Sequence, residues 1–253
     1  MILSSKGIIL KVFPYSNTSI ICNVFTDSHG KLTFIAKGIR KPKNPLLSIL
    51  QPFNLLELQY YYKKNRSMQL IKEADILISF DDIRKNMQSI TLGAQTVNII
   101  NRIFEQEYPN EIIFRLIYKT LHKLSSENNK IFFLFFLFHL LKQLGFMPNI
   151  HRCHQCNKSF SDQIIFSFSL KSLICISCDS NNFSEFDMKI NIETVKILRL
   201  IDTTNIDQIS ELKISSKTLY EIYIFLISFM RCHIQYINNI KGIDELEKIY
   251  YEH

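Results

Sequence analysis

Cys153-His154-Gln155-Cys156 and Cys175-Ile176-Ser177-Cys178 form two CxxC pairs separated by 18 residues. Two thiolates three positions apart on a tight turn can point at one ion, and a second such turn completes a tetrahedron. The spacing is that of a zinc ribbon. Residues 164–168 and 170–174, between the pairs, read as a hairpin that brings the turns together. Asn157 and Asp179 follow the second cysteine of each pair, and both residue types tolerate the left-handed conformation such turns need. A redox role is disfavoured because neither pair opens a helix after a strand. Disulfides are disfavoured in a reducing compartment. Four thiolates also close the shell, leaving no position for a catalytic water. Iron remains open as an alternative to zinc. The expectation is one structural Zn2+ on Cys153, Cys156, Cys175 and Cys178, fixing an insert with too little core of its own. His151 and His154 read as surface or supporting residues, and Cys22 and Cys232 as small buried hydrophobes.

The second chemical signal is charge. The net charge is +7, and residues 1–80 carry 11 Lys and Arg against 4 Asp and Glu, whereas residues 81–253 carry 19 against 19. A surplus confined to one third of the chain points to a binding face for a polyanion. Strand alternation leaves Lys11, Lys31 and Lys37 on outer faces near the loop bearing Arg40, Lys41 and Lys43. Lys63, Lys64 and Arg66 sit in the last hairpin. Cations that follow phosphates, with aromatic rings available for stacking, suit single-stranded nucleic acid. The expectation is one coherent cationic track. The bland alternative is a solvated barrel whose tyrosines (Tyr60, Tyr61, Tyr62) are packing residues.

These side chains need elements to hold them. From residue 5 to 77 the apolar period is near two. Strands are expected at 6–13, 19–26, 31–37, 53–62 and 69–77, with a hairpin turn at 27–30. Ile8, Leu10 and Val12 are expected to face the core, as is Phe34. Five short strands in so few residues suggest a small barrel. From 81 the period turns helical: Asp81 or Asp82 is expected to cap a helix to about 107, with Ile90, Ala94, Val97, Ile100 and Phe104 on one stripe. Helices at 110–124 and 130–144 follow, the last apolar nearly all round, containing His139 as a buried hydrogen-bonded residue and closed by Gly145. Helical periodicity resumes at 191–201 and 216–238. The fold class expected is α+β multidomain: a five-stranded OB-fold barrel over 1–80, a helical domain over 81–150 and 184–253, and the zinc-binding insert at 151–183.

The longest apolar run, 131–138, extended to 141 across His139, reaches 11 residues, against about 20 for a membrane span. The opening Met1-Ile2-Leu3-Ser4-Ser5-Lys6-Gly7 lacks a charged leader before an apolar stretch, so a cytoplasmic location is expected. There is no Gly-rich phosphate loop ending in Lys-Ser or Lys-Thr, no paired-His zinc helix and no Gly-x-Ser-x-Gly elbow. No constellation for catalysis is found.

The opening Lys6-Gly7-Ile8-Ile9-Leu10-Lys11, followed by Tyr15-Ser16-x-Thr18-Ser19, resembles that of the bacterial RecO family of DNA repair proteins. So do Phe25-Thr26-x-x-His29-Gly30-Lys31-Leu32, Ala36-Lys37-Gly38-x-Arg40-Lys41-Pro42, Leu50-Gln51-Pro52-Phe53 and Lys72-Glu73-Ala74. The resemblance covers essentially the whole chain, departing at 44–49, where more polar and basic residues are expected. It implies a non-catalytic recombination mediator, nucleoid-associated in the cytoplasm, that binds single- and double-stranded DNA and anneals complementary strands. It implies RecR and the C-terminal tail of single-stranded DNA-binding protein as partners, with a functional link to the RecA recombinase. Lys31, Lys37, Arg40, Lys41 and Lys43 carry over by motif as DNA-binding candidates, with Lys63, Lys64 and Arg66 added on charge alone and Lys11 on its outward place in the first strand. Two other classes stay open: a zinc-ribbon RNA-binding or transcription-associated module, and an enzyme using the ribbon as scaffold.

Overall fold

Alternating apolar and polar residues from Ile2 onward build five strands that bury one side of each in common. The computed structural model describes residues 1–40, 44–161, 163–178, 187–234 and 242–251. The chain divides into two compact units, Met1–Asn128 and Asn129–His253.

In the first unit, β1 (Ile2–Tyr15), β2 (Ser19–Thr26), β3 (Gly30–Ala36), the short helix α1 (Leu46–Ile49), β4 (Leu55–Tyr61) and β5 (Gln69–Ile78) follow in order. The strands close into a barrel in the order β1-β2-β3-β5-β4. Closure comes from a short parallel pairing of Phe34 with Gln69 and Ile35 with Leu70. This is the small five-stranded barrel that the periodicity suggests, with the closure of an OB-fold that the resemblance implies.

Its core contains Ile9, Cys22, Val24, Phe34, Leu56, Leu58 and Tyr60, all fully buried, each apolar side chain contributing about 1.5–3 kcal/mol. Burial pushes the Cys22 thiol up to about 12, so it behaves as a hydrophobe. One expected facing is corrected. Ile8 and Leu10 are buried, but outside the barrel cluster, and Ile9 takes the inward position. A bulge between Ile9 and Lys11 shifts the alternation and returns Val12 to the barrel side. Leu10 instead joins Ile90, Ala94 and Val97 along a groove of about 350 Å³.

The helix expected from Asp81 is also corrected. Asp81–Lys85 forms a 3₁₀ turn, in which Asp81 pairs with Arg84 and Asp82 with Lys85. The true cap is Asn86, whose side chain accepts the Ser89 N–H at 3.0 Å and opens α2 (Met87–Ile103). Asn110 caps α3 (Glu111–Ser126) in the same way. Between them, residues 105–109 lie over the β2–β3 turn. Gly30, at φ +67°, passes so close that a Cβ there would stand 2.1 Å from the Tyr108 carbonyl oxygen.

The second unit is built around α4 (Ile131–Gln143), buried on nearly every side and followed by Gly145 at φ +76°. Then come β6 (Ile164–Ser167), β7 (Ser172–Cys175) and β8 (Met188–Ile190), a sheet of order β7-β6-β8. The hairpin was expected; β8 has no counterpart in the sequence reading, because three residues leave no period to detect. Helices α5 (Ile192–Thr203) and α6 (Ser216–His233) pack on α4, and α7 (Ile243–Tyr251) packs on α6. Tyr250 stacks on Tyr223 at 4.6 Å between ring centroids, and its hydroxyl donates to the Lys130 carbonyl. His139 hydrogen-bonds the Ile201 carbonyl at 3.1 Å. The 216–238 expectation is met to His233, and 235–238 lie outside the described residues. No helix among the described residues is long and apolar enough to cross a membrane.

Candidate metal centre and nucleic-acid interface

The β6–β7 hairpin does what the spacing requires. Ile164 pairs with Cys175, so the second CxxC leaves the hairpin beside the first, whose His154 N–H donates to the Leu173 carbonyl. The sulfurs of Cys153, Cys156, Cys175 and Cys178 all lie within 4.8 Å of one another. Cys156 and Cys175 Sγ are 3.7 Å apart, close to the roughly 3.8 Å edge of a tetrahedron with 2.3 Å metal–sulfur bonds. Asn157 takes the left-handed conformation, φ +57°; Asp179 is outside the described residues.

Burial by itself raises the Cys153 pKa, but backbone N–H groups of Cys156, Cys175 and Gln155 bring the thiol down to about 6. Burial raises Cys175, while hydrogen bonding to the Cys175 and Cys156 thiols pushes Cys178 up to about 12. The Cys153 thiolate forms readily while Cys175 and Cys178 resist, a crowding of negative charge that a bound dication would relieve. The donor set and its spacing therefore fit a tetrahedral thiophilic ion. His151 and His154 are exposed, and neither belongs to the cluster.

Two supports of this centre escaped the sequence reading. Arg199 of α5 donates to the carbonyls of Ile150 (2.9 Å) and His151 (3.2 Å), clamping the chain as it enters the first pair. Phe166 of β6 meets Phe225 and Phe229 of α6 at 5.5 and 5.4 Å between ring centroids. Both contacts span tens of residues, so no local signal announces them.

The barrel cations divide between its two ends. β3 runs parallel to β5, with Gln69 beside Phe34, so the β4–β5 hairpin extends from there toward the Gly30 end of β3, where the His29 ring meets Tyr62, whereas Lys37 follows its Ala36 end. At the Gly30 end, Lys63, Lys64 and Arg66 are exposed. The buried Gln69 amide fixes their hairpin: it accepts the Lys63 N–H and donates to the carbonyls of Lys63 and Arg66, at 2.9, 3.1 and 3.2 Å. Beside them Tyr61 is 42% exposed, and the His29 ring lies over Tyr62 at 5.5 Å. His29 Nδ1 also meets the Ser28 and Tyr60 hydroxyls, at 3.0 and 3.3 Å.

At the Ala36 end, Lys37 and Arg40 are exposed. Arg40 donates from Nη1 to the Ser16 carbonyl at 3.2 Å, and from its backbone N–H to the Thr18 carbonyl at 3.0 Å. Those bonds tie it to the β1–β2 turn, next to the exposed rings of Tyr15 and Phe13. Lys11 Nζ lies 4.9 Å from the Phe13 centroid. Lys41 and Lys43 lie outside the described residues.

Lys31 does not join Lys37. It stands at the opposite end of β3, half-buried, and its ammonium donates to the Asn101 carbonyl in the last turn of α2 at 2.8 Å. Burial lowers its pKa, and Glu105 opposes that shift. The single track expected from strand alternation is therefore two groups, because alternation sorts faces but not ends.

Comparison with known proteins decides the relationship. Residues 1–80 match the model "Recombination protein O N terminal", and residues 84–238 match "Recombination protein O C terminal". The chain belongs to the RecO family. It is 28% identical over 236 residues to the DNA repair protein RecO of Caldicellulosiruptor saccharolyticus, spanning 89% of this chain and 93% of that one. Identity is 28% over 244 residues to the protein of that name from Chloroherpeton thalassium, with 92% and 93% covered. The Syntrophus aciditrophicus protein is 24% identical over 253 residues, with 97% and 96% covered. This is accordingly a RecO-family DNA repair protein whose N-terminal match coincides with the barrel. The second match begins in the 3₁₀ turn, although α2 and α3 fall in the same compact unit as the barrel.

Proposed function

We propose that this chain is a non-catalytic recombination mediator. It binds single- and double-stranded DNA through the barrel and anneals complementary strands. With RecR, it helps to load RecA onto DNA coated by single-stranded DNA-binding protein, whose C-terminal tail it engages. The reading places it in the cytoplasm with the nucleoid. Its working parts are the barrel (1–80), a helical domain (81–150 and 184–253) and an insert (151–183) held by one Zn2+ on Cys153, Cys156, Cys175 and Cys178.

The observation that carries the proposal is the pairing of exposed cations with exposed aromatic rings on an OB-fold barrel in a DNA-repair family. Lys37, Arg40, Lys63, Lys64 and Arg66 are the strongest contributors, and Lys11 adds a cation beside Phe13. Lys41 and Lys43 follow from the family motif, and Lys31 is the weakest member because its ammonium is already engaged. Zinc is favoured over iron because the cluster is read as structural rather than redox-active.

The test is an annealing assay without nucleotide, with metal quantified on the same sample. Acceleration of complementary DNA pairing and one zinc per chain are expected. No acceleration, or displacement of DNA by structured RNA, defeats the reading. Neutralising Lys37, Arg40 and Lys41 together should flatten the slope of log affinity against log salt by about two units on single strands. An unchanged slope rules that surface out.

A further inference from the structure

We propose that one barrel holds two nucleic-acid strands at once, one at each end. The inference rests on the DNA-binding reading above and adds how a single chain could bring two strands together.

Each end carries a complete set of groups for a single strand. The Gly30 end has Lys63, Lys64 and Arg66 beside Tyr61 and the His29–Tyr62 ring pair. The Ala36 end has Lys37 and Arg40 beside Tyr15, with Lys11 over Phe13. From the His29 turn to Lys37, β3 spans about 20 Å at ~3.3 Å per residue, and the cationic hairpin extends from Gln69, beside Phe34, toward that turn.

Two of the faces joining the ends discourage one strand from running across both. Over β2 and β3 lies the 101–107 segment. Asn23 donates to the Asn101 side chain at 2.8 Å, Gln106 to Thr33 at 2.9 Å, and the Glu107 N–H to the Lys31 carbonyl at 3.0 Å. That cover brings the carboxylates of Glu105 and Glu107 with it. Glu107 reaches the rim of the Gly30 end, accepting from Tyr62 at 3.4 Å.

On the β4–β5 face, Glu57 stands opposite Asp75 and Gln59 opposite Glu73. Lys72 there is engaged by Glu73 at 3.3 Å and Gln59 at 3.2 Å. Lys6 faces Glu57 across β1 and β4. A polyanion crossing this face meets carboxylates that outnumber ammonium groups, so each end keeps its own strand.

The experiment titrates the full chain with short, non-complementary oligothymidylates at low salt, at a concentration where sedimentation shows single chains. Two oligonucleotides per chain are expected. Energy transfer between donor- and acceptor-labelled oligonucleotides mixed on one chain is also expected. Lys37→Ser with Arg40→Ser should leave one per chain and abolish the transfer. Lys63→Ser, Lys64→Ser and Arg66→Ser together should do the same. One oligonucleotide per parent chain, weakened by either set of substitutions, overturns the two-strand arrangement while leaving DNA binding intact. Failure of the parent to bind any oligonucleotide defeats the underlying reading instead. The parent stoichiometry needs no variant, so a substitution that impairs folding cannot obscure the result.

Discussion

The barrel and the cysteine ribbon solve the same problem with different means. Five strands closed on themselves give the barrel a continuous interior of fully buried Leu, Val, Phe and Tyr side chains. It needs no ion. The ribbon has only three short strands, and its apolar face is completed by Phe225 and Phe229 of α6. Its other side is an array of four cysteine sulfurs within 4.8 Å of one another. The difference separates stability that is local from stability that is borrowed: the ribbon draws on a helix on one side and, under the proposed reading, on a metal on the other.

The largest expected effect tests the borrowing from metal. Cys153→Ser should lower zinc from one per chain to none and destabilise the 129–253 unit, while the strand signal of the barrel persists. Structural zinc contributes on the order of 10 kcal/mol in small zinc-dependent peptides. Full thermal stability with no metal in either protein would end the comparison. Next is the borrowing from α6. Phe166→Ala should cost about 3–5 kcal/mol in denaturant unfolding of that unit, and an unchanged midpoint would mean that the ribbon stands alone.

A smaller effect sharpens the barrel side. Gly30→Ala must hold an L side chain at positive φ, costing about 1–2 kcal/mol, and must also push back the Tyr108 carbonyl. The barrel unfolding transition should move to lower denaturant; no movement would show that residues 105–109 sit loosely over the turn.

The smallest effect is pH dependence in the helical unit. Burial holds the His139 pKa below its ordinary 6.5, so the folded unit resists a proton that the unfolded chain accepts. This residue's contribution is full above 6.5 and is lost as pH falls from 6.5 through the depressed folded value. His139→Gln should therefore show a shallower loss of stability on acidification than the parent, and equal slopes would exclude His139 as the source.

The cysteine cluster and the barrel strands were legible because each leaves a local mark: two residues between paired cysteines, and a period of two along a strand. The asparagine cap at Asn86 was hidden behind a more conspicuous acidic pair. Only a side-chain bond to Ser89 distinguishes the two. The inward role of Ile9 was likewise hidden, because a bulge adds a residue without changing composition. β8 was too short to show a period at all.

The chain by itself determined that thiolates come in two pairs, that positive charge gathers in the first third, and that strands give way to helices near residue 81. Those are properties of composition and short-range spacing, and they survive any arrangement in space. Tertiary structure alone decided that Lys31 belongs to a helix terminus and that Gln69 buckles a cationic hairpin. It alone separated Lys37 and Arg40 from Lys63, Lys64 and Arg66. Alternation fixes the side of a strand on which a residue lies, but the parallel closure of β3 on β5 fixes the end. That closure joins residues more than thirty positions apart, beyond the reach of any local pattern.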